Sequence, residues 1–476
     1  MTRTLSALAA TAALMAALAA ASPAMAQDAE ADQNAEIQAL KEAIQDLQIK
    51  LNDLEAKQAA QAEAQADKSD EPKFKVGPGL SISKGGNSVG LTGRLHWDVG
   101  LYPSDVDGLE GANFDTGANL RRGRLGVMGK SGGFSYNLTV DVGGSADDNE
   151  EVAIDEAAVY YSPSKMIKVG FGKMKIPVTF EESTSSNDIS FIERSMPVDM
   201  FTDKVLGPKA VNAQVWVYGE QSLIEAAIHA QSDTALGASK TYDDANEAED
   251  MGLTVRAVYA PIKTSTSALH LGGWMDRSSG SVNAKDTYWG YRVELNVADA
   301  KPLRGDSVSS TTDGMTHWGL ELAYLNGPFW AQAEYINGTL EQNDGSKDVE
   351  GDGYYVQAGY VVGGAKRYNM KKGAWSAPKV KNPFPGKGTG VVEVAGRYSM
   401  VDFGVDPAQP SHAGKQSNFT VGLNWYLNNS TRIMFNSIRV DLEDAGKKAE
   451  FDTAGNRTNG LDESFWVHGV RWQYKW

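Results

Sequence analysis

The chain contains no cysteine, which excludes disulfides and thiolate metal sites. Histidine is scarce: the six residues, at 96, 229, 270, 317, 412 and 468, show no His-x-x-x-His or Glu-x-x-His spacing, so no metal centre is expected. No Walker-type glycine loop occurs, and no nucleophile, base and orienting acid cluster together. Neither a catalytic residue nor a cofactor is therefore expected, and the chain reads as a non-enzyme. Long apolar runs are missing too. The longest, Leu5 to Ala21, falls short of the roughly 20 residues of a spanning helix, and mean hydropathy is −0.37. With Arg3 before it and Ala24-Met25-Ala26 after it, this run forms a secretory signal peptide over residues 1–26.

What the chain has instead is alternation. Its last residues place Val470, Trp472, Tyr474 and Trp476 on one face and Arg471, Gln473 and Lys475 on the other. Leu91, Leu95, Trp97 and Val99 likewise oppose Thr92, Arg94, His96 and Asp98, and Phe134 to Val142 repeats the pattern. A strand with lipid on one side and water on the other needs this period of two, and hydropathy averages it away. With 50 Gly, 18 Tyr and 11 Trp, the composition suits an aromatic-girdled sheet. At roughly 25 residues per spanning strand and connection, residues 73–476 supply about sixteen strands. The fold class expected is all-β, a transmembrane antiparallel barrel in the outer membrane of a Gram-negative bacterium. Long polar loops are expected at 232–250, 277–287, 302–315, 338–352 and 404–417. Short turns are expected at Asn326-Gly327-Pro328 and Leu427-Asn428-Asn429-Ser430, and Lys84-Gly85-Gly86-Asn87 reads as a hairpin connection.

Residues 27–72 differ from the rest. Ile37, Leu40, Ile44, Leu47, Leu51 and Leu54 recur at heptad a and d positions, so a short coiled-coil helix is expected before the barrel. Glu36 with Lys41 and Lys50 with Glu55 stand at g and the following e, where they can bridge parallel helices of separate chains. Ile at a with Leu at d leans towards a dimer; Leu51 at a weakens that preference. Under three heptads are marginal alone, so a barrel oligomer must add to the association. Roughly half of the net charge of −16 falls in this leader. A helical stalk over residues 30–66 would reach about 50 Å, far enough to meet peptidoglycan, so an envelope tether with incidental conduction is one alternative function.

Further motifs carry a resemblance. Gly93-Arg94-Leu95-His96-Trp97-Asp98, Leu120-Arg121-Arg122-Gly123-Arg124-Leu125-Gly126 and Lys175-Ile176-Pro177-Val178-Thr179-Phe180-Glu181-Glu182 appear in order. Phe191-Ile192-Glu193-Arg194-Ser195, Gly327-Pro328-Phe329, Gly353-Tyr354-Tyr355-Val356-Gln357-Ala358 and Gly422-Leu423-Asn424-Trp425-Tyr426 follow. Over residues 90–476 the chain resembles the phosphate-selective porin O/P family of outer-membrane channels. The resemblance implies a sixteen-stranded barrel, a homotrimer, and a third external loop folded into the pore, here residues 179–204. It also implies surrounding lipid and lipopolysaccharide, delivery by barrel-assembly machinery, and no nucleic-acid partner. The function it implies is passive ion transport of small hydrophilic solutes, anions such as phosphate among them.

Pore-lining and anion-binding candidates are Arg94, Arg122, Arg124, Lys173, Lys175 and Arg194. Arg122 and Arg124 share the polar parity of their strand, since charge on the lipid face costs about 2–4 kcal/mol at mid-bilayer; Arg121 has the opposite parity and needs an interface or a bulge. Guanidinium groups can grip phosphate bidentately; equally, these arginines can pair with Asp98, Asp141 or Glu156 and merely stiffen the wall. The family's lumenal arginine ladder is only partly matched, with Tyr160 where an inward arginine often stands. The constriction segment holds Glu181, Glu182, Asp188 and Glu193 against Arg194 and Lys204. A general or weakly cation-selective porin is therefore the other alternative.

Overall fold

A computed structural model describes residues 38–39, 41–57, 71–77, 79–103, 106, 114–144, 152–203, 209–230, 251–279, 290–291, 293–298, 301–304, 312–404, 413–445, 453 and 458–476. The signal peptide, Ile37, Leu40 and Lys204 lie outside these residues. The chain divides between Glu71 and Pro72 into a leader and a larger unit.

In the leader, residues 41–57 are helical. Ile44, Leu47, Leu51 and Leu54 lie on its exposed surface. Two of its lysines are held within the helix, Lys50 by Asp46 at 2.8 Å and Lys57 by Asp53 at 2.7 Å, both i, i+4 pairs. Such pairs support a solvated helix by a few tenths of a kcal/mol each.

The larger unit is a 16-stranded antiparallel β-barrel. Strands run from Asn87–Leu101 to Leu461–Lys475, each hydrogen-bonded to its sequence neighbour, and the last pairs with the first through Trp472↔Trp97 and Arg471↔Asp98. A short hairpin, Lys73–Val76 and Leu80–Lys84, continues the first strand through Ser81↔Gly90 and Lys84↔Asn87. The expected Gly85-Gly86 connection is present, both glycines at positive φ, which side chains with a Cβ rarely adopt. Alternation sets the two faces. Trp97, Leu125, Val421 and Trp472 remain exposed on the outer face, as lipid contact requires, while Asp98, Arg256, Arg397 and Arg471 are each 0–1 % exposed inside.

Most connections follow the expected asymmetry. Short turns such as Asn326-Gly327-Pro328 and 427–430 close one end, and at the other the strands are joined by longer connections, such as those that follow Lys175 and Asp402. Short turns mark the periplasmic end of such barrels. Two connections depart. The loop expected at 338–352 shrinks to 343–348, because the polar run from Gly338 keeps the period of two and pairs on through Thr339↔Glu350 and Leu340↔Val349. On the short-turn end, residues 363–390 form a long connection with its own small hairpin, Arg367–Asn369 with Ala374–Ser376. Its Trp375 is buried against Phe180 at 5.1 Å and donates its indole N–H to Gln332 Oε1 at 2.6 Å. The barrel is thus filled from both ends.

Candidate functional site: a cation-lined lumenal cavity

After the strand Ile167–Lys175 the chain turns inward rather than outward. Thr179, at φ 43, caps a one-turn helix, Phe180–Ser183, its hydroxyl accepting from Glu182 N at 2.9 Å. The backbone N–H groups of Phe180 and Glu181 donate to the Glu334 carboxylate on the far wall at 2.8 and 2.9 Å. These are amides that a helix start leaves without intrahelical partners, and a carboxylate is the natural acceptor there. More bolts follow. Ser190 donates to Glu393 at 2.8 Å, Met196 N to Glu294 at 2.7 Å, and Arg432 to the Ile189 carbonyl at 2.6 Å. Glu294 itself belongs to another inward-folded segment, Val293–Ala298, and receives Arg397 at 2.5 Å. The segment expected to form the constriction therefore lies inside the barrel, fastened to several strands.

Beside it remains a cavity of about 460 Å³, lined by residues from Thr92 to Glu225 of the wall, the constriction loop, and Lys371 and Lys372 of the inserted turn. Its lining holds ten cationic side chains and four carboxylates, in a chain whose net charge is −16. The carboxylates are occupied: Asp155 by Arg124 at 2.8 Å and by Lys209, Glu156 by the Tyr160 hydroxyl at 2.7 Å, Glu182 by Arg194 at 2.7 Å and Lys175 at 2.8 Å, and Glu225 by Arg256 at 2.9 Å. Burial pushes the Glu182 carboxyl up, but Arg194 and Lys175 outweigh it and hold it down to about 2. Glu193 is likewise held well below the carboxylate range against its own burial, by Arg121, Arg471 and Arg122.

The sequence-derived candidates separate on this geometry. Arg94, Arg122, Arg124, Lys175 and Arg194 all line the cavity. Arg94 donates to Ser186 Oγ at 2.8 Å and has no carboxylate within 4.0 Å among the described residues. Arg122 is 6 % exposed, its nearest carboxylate oxygen is that of Glu193 at 4.0 Å, and its Nε and one Nη lack any hydrogen-bond partner. Arg124 is instead gripped by Asp141 at 2.6 Å and Asp155 at 2.8 Å. Lys173 stands apart: its register places it opposite Val211, an outward residue, and it is absent from the cavity lining. The register shift after His96 makes Arg121 a bulge residue, and its guanidinium reaches inward to both oxygens of Glu193 at 3.0 and 3.3 Å. A bulge re-aims a side chain against the parity of its strand.

Sequence reasoning passed over Lys168, Lys209, Lys371 and Lys372. Lys168 sits over the rings of Trp216 at 3.6 Å and Tyr160 at 4.5 Å. Its inward parity, between Ile167 and Val169, was a usable signal. For Lys371 and Lys372 there was none, since they reach the cavity only because residues 363–390 fold into the barrel.

A family model described as phosphate-selective porin O and P matches residues 89–476. Porin O of Pseudomonas aeruginosa is 25% identical over 380 residues, covering 73% of this chain and 81% of its own length. Among solved structures, the anion-selective porin from Comamonas acidovorans shares 15% identity at a TM-score of 0.50, covering 82% of this chain and 100% of its own. Salmonella typhi OmpF in complex with daunomycin gives 9% and 0.50, covering 85% and 100%. With a sixteen-stranded barrel, an inward-folded loop beside a lined cavity, and a family match over most of its length, the chain belongs to the phosphate-selective porin O and P family, outer-membrane channels of Gram-negative bacteria rather than enzymes.

Proposed function

We propose that the barrel passes small hydrophilic anions, phosphate among them, by passive diffusion down a concentration gradient, with the constriction loop setting the size limit. The observation that carries this reading is the cavity lining of ten cations against four occupied carboxylates. Selectivity follows the charge that lines a pore, not the net charge of the chain. The acidic constriction that favoured a cation pore loses its force, because Glu181 accepts from Ser195 N and Oγ, both at 2.9 Å, while Glu182 and Glu193 are ion-paired. Arg94 and Arg122 are the side chains best placed to lower the barrier for an anion, and Lys168, Lys371 and Lys372 extend that field. Arg124, Lys175 and Arg194 hold the wall and loop in shape. The active form is a homotrimer, and the exposed seam of Ile44, Leu47, Leu51 and Leu54 brings three leaders together as a coiled coil.

Purified protein in a planar bilayer under a KCl gradient tests the reading. The expected reversal potential favours chloride, and added phosphate reduces the chloride current. A potassium-favouring reversal potential would overturn the anion assignment and leave the porin standing.

A further inference from the structure

The far end of the constriction loop is seated differently from its start. After the short helix Met196–Val198 the chain runs into a π-helical turn, Asp199–Asp203, a form that is rare and recurs at functional sites. Phe201, in the middle of that turn, is fully buried between two rings. One is His317 on the wall strand Thr312–Asn326, with centroids 6.2 Å apart, and the other is Phe403 at 5.9 Å. On the neighbouring strand Phe329–Gln342, Gly338 stands opposite His317 and makes the room. A Cβ there would lie 2.8 Å from both His317 Cδ2 and Phe201 Cδ1, well inside van der Waals contact. The imidazole is thus wedged between the wall and the loop.

His317 is 0 % exposed, and neither of its ring nitrogens has a hydrogen-bond partner among the described residues. Asp276, directly opposite it on Ser267–Ser279, is already engaged. That carboxylate pairs with His229 Nε2 at 2.8 Å and accepts from Thr254 Oγ1 at 2.6 Å and Ser278 Oγ at 2.8 Å. The strand on the other side offers Gly338, which carries no charge, and the loop's turn begins and ends on Asp199 and Asp203. A neutral imidazole can stay in such a place. An imidazolium cannot, because it brings two N–H donors and a full charge into a dry site. The strand that carries His317 is locked by ladders on both sides. Protonation can therefore bring water to the ring only if Phe201 moves away from it.

We infer that His317 and Phe201 form an acid-operated latch on the far end of the constriction loop. The neutral ring seats Phe201 and holds the loop against the wall; the protonated ring unseats it, and the loop moves between two positions in the lumen. The latch rests on this loop setting the width of the passage. It does not depend on which ion the passage favours.

Single channels of the full chain in planar bilayers test it, recorded at about pH 7 and about pH 4, a step that carries an ordinary histidine from mostly neutral to charged. Wild type should hold one conductance level at the higher pH. At the lower pH it should switch between levels at least about tenfold more often, the response to a modest loss of seating, and recover when the pH is restored. His317→Leu, of similar bulk and unable to charge, should stay at one level at both pH values. His317→Gln serves as the second non-titrating variant if the leucine form fails to reach the membrane. Phe201→Ala should switch at both pH values, since its seat is then empty whatever the charge. Steady wild-type current in acid, or acid switching that persists in His317→Leu or His317→Gln, would overturn the latch. Switching that disappears in His229→Gln and persists in the His317 variants would do so too, by moving the trigger to the other histidine. A cation-favouring reversal potential recorded in the same channels would remove the anion reading and leave the latch standing.

Discussion

Arg122 and Arg124 stand two residues apart on one strand and face the same water, yet their partners differ. Arg124 is held by two carboxylates, whereas Arg122 keeps two nitrogens unpartnered. Arg122→Gln should therefore alter permeation more than stability. A unit charge about 4–8 Å from a permeating ion in water is worth about 0.5–1 kcal/mol, so the chloride preference should fall by about two- to fivefold in reversal-potential measurements. Arg124→Gln should do the reverse. It leaves Asp141 and Asp155 facing each other without a guanidinium, at a cost of about 1–3 kcal/mol, below that of a dry buried pair because the lumen is partly wet. A lowered transition temperature with a smaller selectivity change is the expected outcome. Similar reversal potentials for the two variants would show that pairing does not decide which arginine works.

At the scale of elements, the constriction loop is short of regular structure and long on anchors. The Phe180 and Glu181 amides that open its helix both donate to Glu334. Glu334→Ala should release it, raising single-channel conductance and current noise together; a quiet channel of wild-type conductance would mean the other bolts suffice. The same loop sets an expected pH range. Glu182 is depressed to about 2, so its contribution is complete above the unfolded carboxylate value of about 4.3 and is lost only as pH falls through about 2. Glu182 itself should thus add no titration to ion selectivity from neutral pH down to about 4.5. A titration of reversal potential with a midpoint near 6 would place another group in control.

For the whole molecule, closure is the decisive contact. The closing strand pairs with both neighbours along most of its length, and Trp476 exchanges backbone hydrogen bonds with Gly93 at 3.0 and 3.1 Å. Deleting residues 467–476 would leave strand edges open in the bilayer, where each unsatisfied backbone group costs several kcal/mol. Such protein should be absent from outer-membrane fractions on a heat-shift gel. Deleting residues 27–72 should be milder, lowering the heat resistance of the proposed trimer without preventing insertion. Envelope defects in that second mutant, with channel activity intact, would support a tether to peptidoglycan; normal envelope integrity would remove that role.

The barrel was legible in the sequence because its cause is local. Side chains such as Trp97 and Asp98 must take opposite faces whatever the rest of the chain does, and lipid admits only one of them. The inward face of Arg122, the turn at Gly327 and the choice between interface and bulge for Arg121 followed from that one rule; the register shift after His96 decided for the bulge. What the sequence could not assign was the fate of each lumenal charge. Glu182 and Glu193 read as an acidic constriction until the loop, folding inward, brought them against Arg194, Lys175, Arg121 and Arg471. Lys371 and Lys372 line the cavity only because residues 363–390 enter the barrel. An ion pair depends on distances between residues remote in the chain, and Arg471 meets Glu193 across 278 positions. Strand parity determines which charges can enter the lumen; only the tertiary fold decides which of them remain free to meet a solute.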